Sequence, residues 1–326
     1  CSVAGRVVVV IIVQPTARTG KHNGRRLNRP VDFRGVRLSD MSDIEYILGL
    51  ERIDTDIYRG PAAESKLLRT FGGQVAAQAL VAATETVDPG RDVHSLHGYF
   101  VAAGKAAEPT VFLVDRIRDG RSFSSRQVRA VQDGETIFSM QVSFHSRGDV
   151  GPEHSDLMRT VPMPEDVPTD SSALPVSSRA LLEEWGDWDI RVVPADSYEH
   201  NKYTPSQQVV WFRSKRPLPD DPTFHVCTLA YMSDMTLLYS ALVPHEGHKV
   251  QMASLDHAMW FMRPFRADDW LLYDQVSPSA HAGRALTHGR IFDRAGNLVA
   301  MVTQEGLTRS LREGALSVPA TISERD

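Results

Sequence analysis

The chain has 326 residues, 42% of them apolar, a formal net charge of −5 and two cysteines, Cys1 and Cys227. That is enough to fill one large core or two modest ones. Two cysteines exclude a disulfide framework and a cysteine-rich zinc site and point to a reducing, cytoplasmic setting, and the longest apolar run, 7–13, is far short of the roughly 18 residues that cross a membrane, so no membrane insertion is expected.

Residues 1–40 carry eight basic side chains (Arg6, Arg18, Lys21, Arg25, Arg26, Arg29, Arg34 and Arg37) against Asp32 and Asp40, a local charge of +6 that leaves −11 for the rest. Arg6 followed by seven apolar residues has the outline of a secretory signal, but at minimum length and with no small-residue cleavage site close behind. The sequence turns coherent at Met41 (MSDIEYILGLERIDTDIYRG), so 1–40 is expected to be a disordered or non-native N-terminal extension. Without it the protein is acidic, which argues against nucleic acid as a partner.

From Met41 the organisation is doubled. FGGQVAAQALVAATETV (71–87) reads as a small-residue helix opening on two glycines, followed by strand-like runs HSLHGYFV, TVFLVDRIRDG, SFSSRQVRAVQDG and ETIFSMQVSFH. Residues 146–176, rich in Pro, Asp, Ser and Gly, read as a linker over the surface. A short helix, SRALLEEW (178–185), and the strand pair DIRVVP and QQVVWFRS lead into a second helix, LAYMSDMTLLYSAL (229–242), and the strands HAMWFMRPF, DDWLLYDQVSPSA, AGRALTHGRIFDRAG and NLVAMVTQEGL. The halves overlay at a nearly constant offset, Tyr99-Phe100 on Trp260-Phe261 and DGETIFSMQVSF on AGNLVAMVTQEG. Two copies of one α+β unit follow. Neither helix has a face left for water, so each sheet is expected to wrap its own helix, with the sheets joined edge to edge. The expected boundaries are 41–148 for the first repeat, 149–187 for the linker with its short helix, 188–315 for the second repeat and 316–326 for a C-terminal tail.

The run from 44 to 309 resembles the type II acyl-CoA thioesterase family, a double hotdog fold of two helix-wrapped antiparallel sheet units joined into one extended sheet. FGGQVAAQAL, HSLHGYF and DGRSFSSRQV carry the likeness in the first half; YMSDMTLL, ASLDHAMWFMRPF, DDWLLY and VTQEG carry it in the second. The resemblance implies hydrolysis of fatty acyl-CoA to free fatty acid and CoA, no cofactor and no metal, and a homo-oligomer, dimer or tetramer. It also implies that Asp234, Ser254 and Gln304 hold the attacking water, with Gly72, Gly73, Gln74 and His257 as substrate-binding residues. The family more often has Thr at the position of Ser254; the hydroxyl is retained. At Ala102-Ala103 the first repeat departs from the family's Arg-Pro, which the second keeps as Arg263-Pro264.

The residues can be read without the resemblance. On a continuous helix Asp234 shares a face with Ala230, Leu238 and Ala241, so it points into packed or pocket surface, where burial raises a carboxyl pKa and makes a better base; a buried structural acid is the other reading. Gln304 alternates with Leu298, Ala300 and Val302, placing an amide on an otherwise apolar strand face. SLDH invites a serine hydrolase with Ser254 and His257, but residues three apart on a continuous strand face opposite ways, and GRSFS lacks the last glycine of a nucleophile elbow. GGQ (72–74) matches the tripeptide of peptide release factors, for which an acidic chain has no basic stripe. His94 and His97 lack a carboxylate or Cys at ligand spacing. The first helix offers Gln74 and Gln78 where an acid would sit, so one active site is expected per pair of repeats. Two rival functions stand beside hydrolysis: a hotdog enoyl-CoA hydratase or dehydratase, disfavoured because the first histidine after Asp234 is His245, eleven residues on, and a non-catalytic acyl-CoA-binding protein, which would have no use for Asp234 and Gln304 together.

Overall fold

Residues 43–63, 69–169, 185–245, 248 and 250–311 are described by the structure, a computed structural model, and all fall in one unit. The expected extension 1–40, tail 316–326 and short helix 178–185, apart from Trp185, lie outside the described residues.

Each half runs strand, strand, helix and then a meander. In the first, α1 (Asp43–Leu48) precedes β1 (Glu51–Asp54), β2 (Ile57–Gly60), α2 (Gly72–Thr84), β3 (Arg91–Phe100), β4 (Thr110–Asp119), β5 (Phe123–Gln132) and β6 (Glu135–Ser146). The second has β7 (Trp188–Val192), β8 (Ser206–Ser214), α3 (Pro222–Ser233), β9 (Val250–Ser254), β10 (Asp256–Phe261), β11 (Leu271–His281), β12 (Arg284–Asp293) and β13 (Leu298–Ser310). All thirteen strands form one antiparallel sheet in the order β1-β2-β4-β5-β6-β3-β10-β13-β12-β11-β8-β7, with β9 on the far stretch of β13. The order is symmetric about the β3/β10 seam, where Tyr99 pairs with Asp256 and Ser95 with Trp260. This is the double hotdog.

Local chemistry explains the elements. The β5/β6 hairpin turns on Asp133-Gly134, both at positive φ, as two-residue hairpins require. Helix α2, built mainly from Ala with Gly, Gln, Val and Leu, is buried on nearly every side; a helix apolar all round belongs inside a core. Helix α3 begins where Asp221 accepts the Thr223 N–H at 2.9 Å with Pro222 at its first position, a strong start signal. Both helices and the inward faces of both half-sheets share one core, including Leu80, Leu96, Phe138, Met140, Leu229, Met232 and Met259.

Among the described residues, a second, smaller core lies on the outer face of the second half. Met158, Val161 and Val167 of the linker cover Val209, Trp211, Leu272, Phe292 and Leu298, and Trp211 Nε1–H donates to Pro162 O at 2.9 Å. Asp274, fully buried, binds Arg159 and Arg290 beneath the same segment. The residues around Met158, Val161 and Val167 thus roof the outer face of the second half.

Two expectations change at this level. The stretch 229–242 is not one helix: α3 ends at Ser233, and a separate 3-10 turn spans Leu238–Leu242. The strand expected over 257–265 starts at Asp256 and is broken from β9 at Leu255, whose N–H donates to Glu305 O while its carbonyl takes Phe100 N–H.

Candidate active site

Asp234 is the residue that caps the C-terminus of α3. The helix stops there because Tyr273 OH donates to Ser233 O at 3.0 Å, taking a carbonyl that a continuing helix would use, while Ser233 Oγ lies between Ala230 O at 2.9 Å and His257 Nε2 at 2.8 Å. A carboxylate at a helix C-terminus faces the negative end of the dipole. The compensation comes from the other half: the Gly73 N–H in the first turn of α2 donates to Asp234, so the positive end of one helix meets the acid that ends the other.

That approach needs both glycines. A Cβ on Gly72 would stand 2.6 Å from Asp234 Oδ2, and one on Gly73 would stand 2.3 Å from the Tyr231 carbonyl. The first lets the carboxylate in; the second lets α2 and α3 cross.

Ser254, the last residue of β9, donates from Oγ to Asp234 Oδ1 at 3.0 Å. Gln304 on β13 donates from Nε2 to the same oxygen at 2.7 Å and to Ser254 Oγ at 2.5 Å. Pairing of Ser254 with Gly306 sets these two side chains on adjacent strands. Gln304 shares its inward face with Ala300 and Val302, whereas a register shift at Ile291/Phe292 turns Leu298 to the outer core. Gln304 and Gly73 are buried, while Phe71, Gly72, Phe100, Asp234 and Ser254 keep part of their surface accessible. The site opens over Gly72 and the carboxylate.

Burial raises the Asp234 pKa above the usual carboxylate value, against the opposing pull of His257, Gln304, Ser254 and Gly73. His257 is fully buried beside it; burial depresses its pKa, while Asp234, Asp256 and Gln304 pull it back up. Its Nε2 lies 2.8 Å from Ser233 Oγ. The break at Leu255 sets Ser254 and His257 both toward the end of α3, which a continuous strand forbids, yet each bonds a different partner there. Gln74 and Gln78 turn the other way: Gln74 Nε2 is 3.4 Å from Pro61 O, and Gln78 Nε2 donates to Ile47 O and Pro61 O at 2.9 and 3.1 Å.

An acid does stand at the matching end of the first helix: α2 is capped by Glu85. The one-site expectation sets Asp234 against Gln74 and Gln78, but Asp234 ends its helix, so the residue at the same place in the first repeat is Glu85. Glu85 is exposed, and the hairpin register that equates 133–134 with 295–296 puts Val142 where the second half has Gln304. Beside it, Arg126 is buried against Thr86 and Asp119. His94 bonds Ser143, and His97 sits edge-on to Trp260; no group of three metal-binding side chains occurs among the described residues.

Comparison with known proteins bears on this arrangement. The profile of the acyl-CoA thioesterase family matches residues 182–307 and that of the acyl-CoA thioesterase N-terminal domain matches 64–145. Acyl-coenzyme A thioesterase 8 of Homo sapiens is 37% identical over 89% of this chain and 94% of its own length. The chain belongs to the acyl-CoA thioesterase family. To this thioesterase, acyl-CoA thioesterase 2 of Haemophilus influenzae is 35% identical over 82% of the chain and 98% of its own. The crystal structure of the acyl-CoA thioesterase II TesB2 of Mycobacterium marinum is 55% identical, with a TM-score of 0.75 over 83% of this thioesterase and 99% of that chain. A hot dog fold protein of Alicyclobacillus acidocaldarius, 21% identical at a TM-score of 0.69, shares the fold.

Proposed function

We propose that this thioesterase hydrolyses fatty acyl-CoA to free fatty acid and CoA, with Asp234 as general base and Ser254 and Gln304 holding the attacking water. One observation carries the reading: Ser254 and Gln304 both direct a donor at Oδ1 of a single, partly accessible carboxylate, which leaves Oδ2, facing Gly72, as the proton acceptor. Water attacks the thioester carbonyl and passes its proton to Asp234. The tetrahedral intermediate expels CoA thiolate by C–S cleavage, and Asp234 returns the proton to sulfur. Its raised pKa suits both transfers. The N–H groups of Gly73, Gln74 and Val75 are engaged with Asp234 and Phe71, so Gly72 is the first-turn N–H assigned to the oxyanion, where the helix dipole favours negative charge. Metal and prosthetic group have no part in these steps.

The repeats 41–148 and 188–315 each supply half of the site, α2 from one and Asp234, Ser254 and Gln304 from the other. The reading includes a cytoplasmic enzyme, supported by unpaired, buried Cys227, and a homo-oligomer, supported by exposed Tyr99, Val101, Ile117 and Phe123 on the first half, which lacks a linker roof among the described residues. The hydratase alternative finds no support, since His245 lies with His281 and Thr308 in a separate shallow pocket. Thiol release from a panel of acyl-CoAs, with enoyl-CoA hydration assayed in parallel, tests the function. Hydrolysis without hydration is expected; hydration without thiol release would overturn it.

A further inference from the structure

Behind the carboxylate, two fully buried polar atoms are left without a well-formed hydrogen bond, Gln304 Oε1 and His257 Nδ1. The two side chains stand side by side: Ala258 pairs with Thr303 and Met259 with Val302 on adjacent antiparallel strands, which sets His257 opposite Gln304, and the Gln304 amide is one of the groups that favour a proton on the His257 ring. Their other ends are engaged: Gln304 Nε2 with Asp234 and Ser254, and His257 Nε2 with Ser233 Oγ.

Resting on the role proposed for Asp234 and Gln304, we infer that His257 is a positioning residue, whose Nδ1–H, directed at Gln304 Oε1, fixes the amide with its NH₂ group toward Asp234 and Ser254. A side-chain amide has two orientations of nearly equal shape. Flipped, Gln304 would set its oxygen against the Asp234 carboxylate, acceptor on acceptor, and lose both donated bonds. A buried Oε1 without a donor costs as much as a broken hydrogen bond, and the imidazole is the donor at hand.

Proton counting places the hydrogen on Nδ1. A neutral imidazole carries one proton, and burial keeps His257 neutral. Ser233 Oγ can turn its single hydrogen toward Ala230 O at 2.9 Å or toward His257 Nε2 at 2.8 Å, so Nε2 has a donor available. Gln304 Oε1 has no such alternative. His257, 1% exposed, touches no substrate and acts through Gln304. Ser233 ties this chain to the end of α3, because Tyr273 holds its carbonyl while its hydroxyl meets the imidazole.

The full-length chain labelled with ¹⁵N-histidine gives the direct test. In mildly alkaline buffer, ring nitrogen resonances assigned by their disappearance in His257→Asn should show a proton on Nδ1. A bare Nδ1 with the proton on Nε2 overturns the inference. Kinetics supply a second reading: His257→Leu should lower kcat about tenfold or more with KM changed less than about twofold, and His257→Asn, whose amide N–H can stand where Nδ1–H stood, should restore most of it. Parent kcat in the Leu variant, or equal losses in both variants, would mean that the ring only fills space. If His257→Leu does not fold, the tautomer in the parent decides. Asp234→Asn assayed beside them separates the two ideas, since parent turnover there removes Asp234 as base and leaves the tautomer result untouched.

Discussion

Replacing Asp234 by Asn exchanges an acceptor-only carboxylate for an isosteric amide and leaves α2, β9 and β13 in place. A general base contributes about 10²–10⁴-fold, so kcat should fall by about that factor, about 3–5 kcal/mol on the barrier, with little change in KM. Stability should move the other way. The folded-state pKa of Asp234 is raised by burial, with the hydrogen bonds from Gln304, Ser254 and Gly73 already counted against it. A group of that kind contributes stability at low pH that is lost as pH rises through its folded pKa. Asn mimics the neutral acid, so at neutral pH the variant should melt at or above the parent temperature, and the difference should close as pH falls toward the ordinary Asp value of about 3.9. In the parent, the acid limb of kcat/KM should lie above that same value, because only the ionised carboxylate accepts a proton. Steady-state thiol release and thermal melts over a pH series check both halves. A stable Asp234→Asn enzyme at parent kcat would refute the base assignment, and a destabilised variant whose folded fraction keeps parent kcat would make Asp234 structural.

Three further outcomes are expected. Gln78→Ala removes the amide that ties α2 to the Ile47 and Pro61 carbonyls and should cost about 1–3 kcal/mol of stability while kcat of the folded enzyme changes by less than about threefold; a loss equal to that of Asp234→Ala would make the first helix catalytic. Gly73→Ala drives a methyl against the Tyr231 carbonyl and the Phe71 ring, so it should lower both melting temperature and kcat by pushing α2 off α3; normal values for both would show that the helices do not need this approach. Ser254→Ala and Gln304→Ala should each reduce kcat, and combined with Asp234→Asn should lose far less than the product of the single losses, because the three hold one water; full additivity would mean independent roles.

The doubled helix-then-strands pattern was legible because each copy carries its own hydrophobic periodicity and hairpin chemistry, as at Asp133-Gly134. The end of α3 was not. MTLLYSAL after Asp234 is as apolar as the helix before it, and what stops the helix is tertiary: the Tyr273 hydroxyl on the Ser233 carbonyl. Its start is legible in Asp221-Pro222, which sets α3 earlier than the apolar run alone suggests and puts Asp234 at the same end of its helix as Glu85. β1 and β2, four residues each, are too short for periodicity to register, although Asp56 at positive φ turns them into a hairpin. The grouping of Asp234, Ser254 and Gln304 came from family likeness; composition offered only a carboxylate and an amide on apolar faces. No sequence signal announces the break at Leu255 that brings His257 beneath the site, or the roofing of β8, β11 and β12 by a Pro-rich segment that reads as plain loop.

Single-turnover hydrolysis in H₂¹⁸O, with the acid-quenched chain weighed intact by mass spectrometry, tests the water mechanism most directly. Direct attack by a water held on Asp234, Ser254 and Gln304 predicts one ¹⁸O in the released carboxylate and a chain of unchanged mass throughout turnover. A chain heavier by the acyl group, with the adduct on Ser254 or Asp234, or ¹⁸O left in the Asp234 carboxylate, would contradict it.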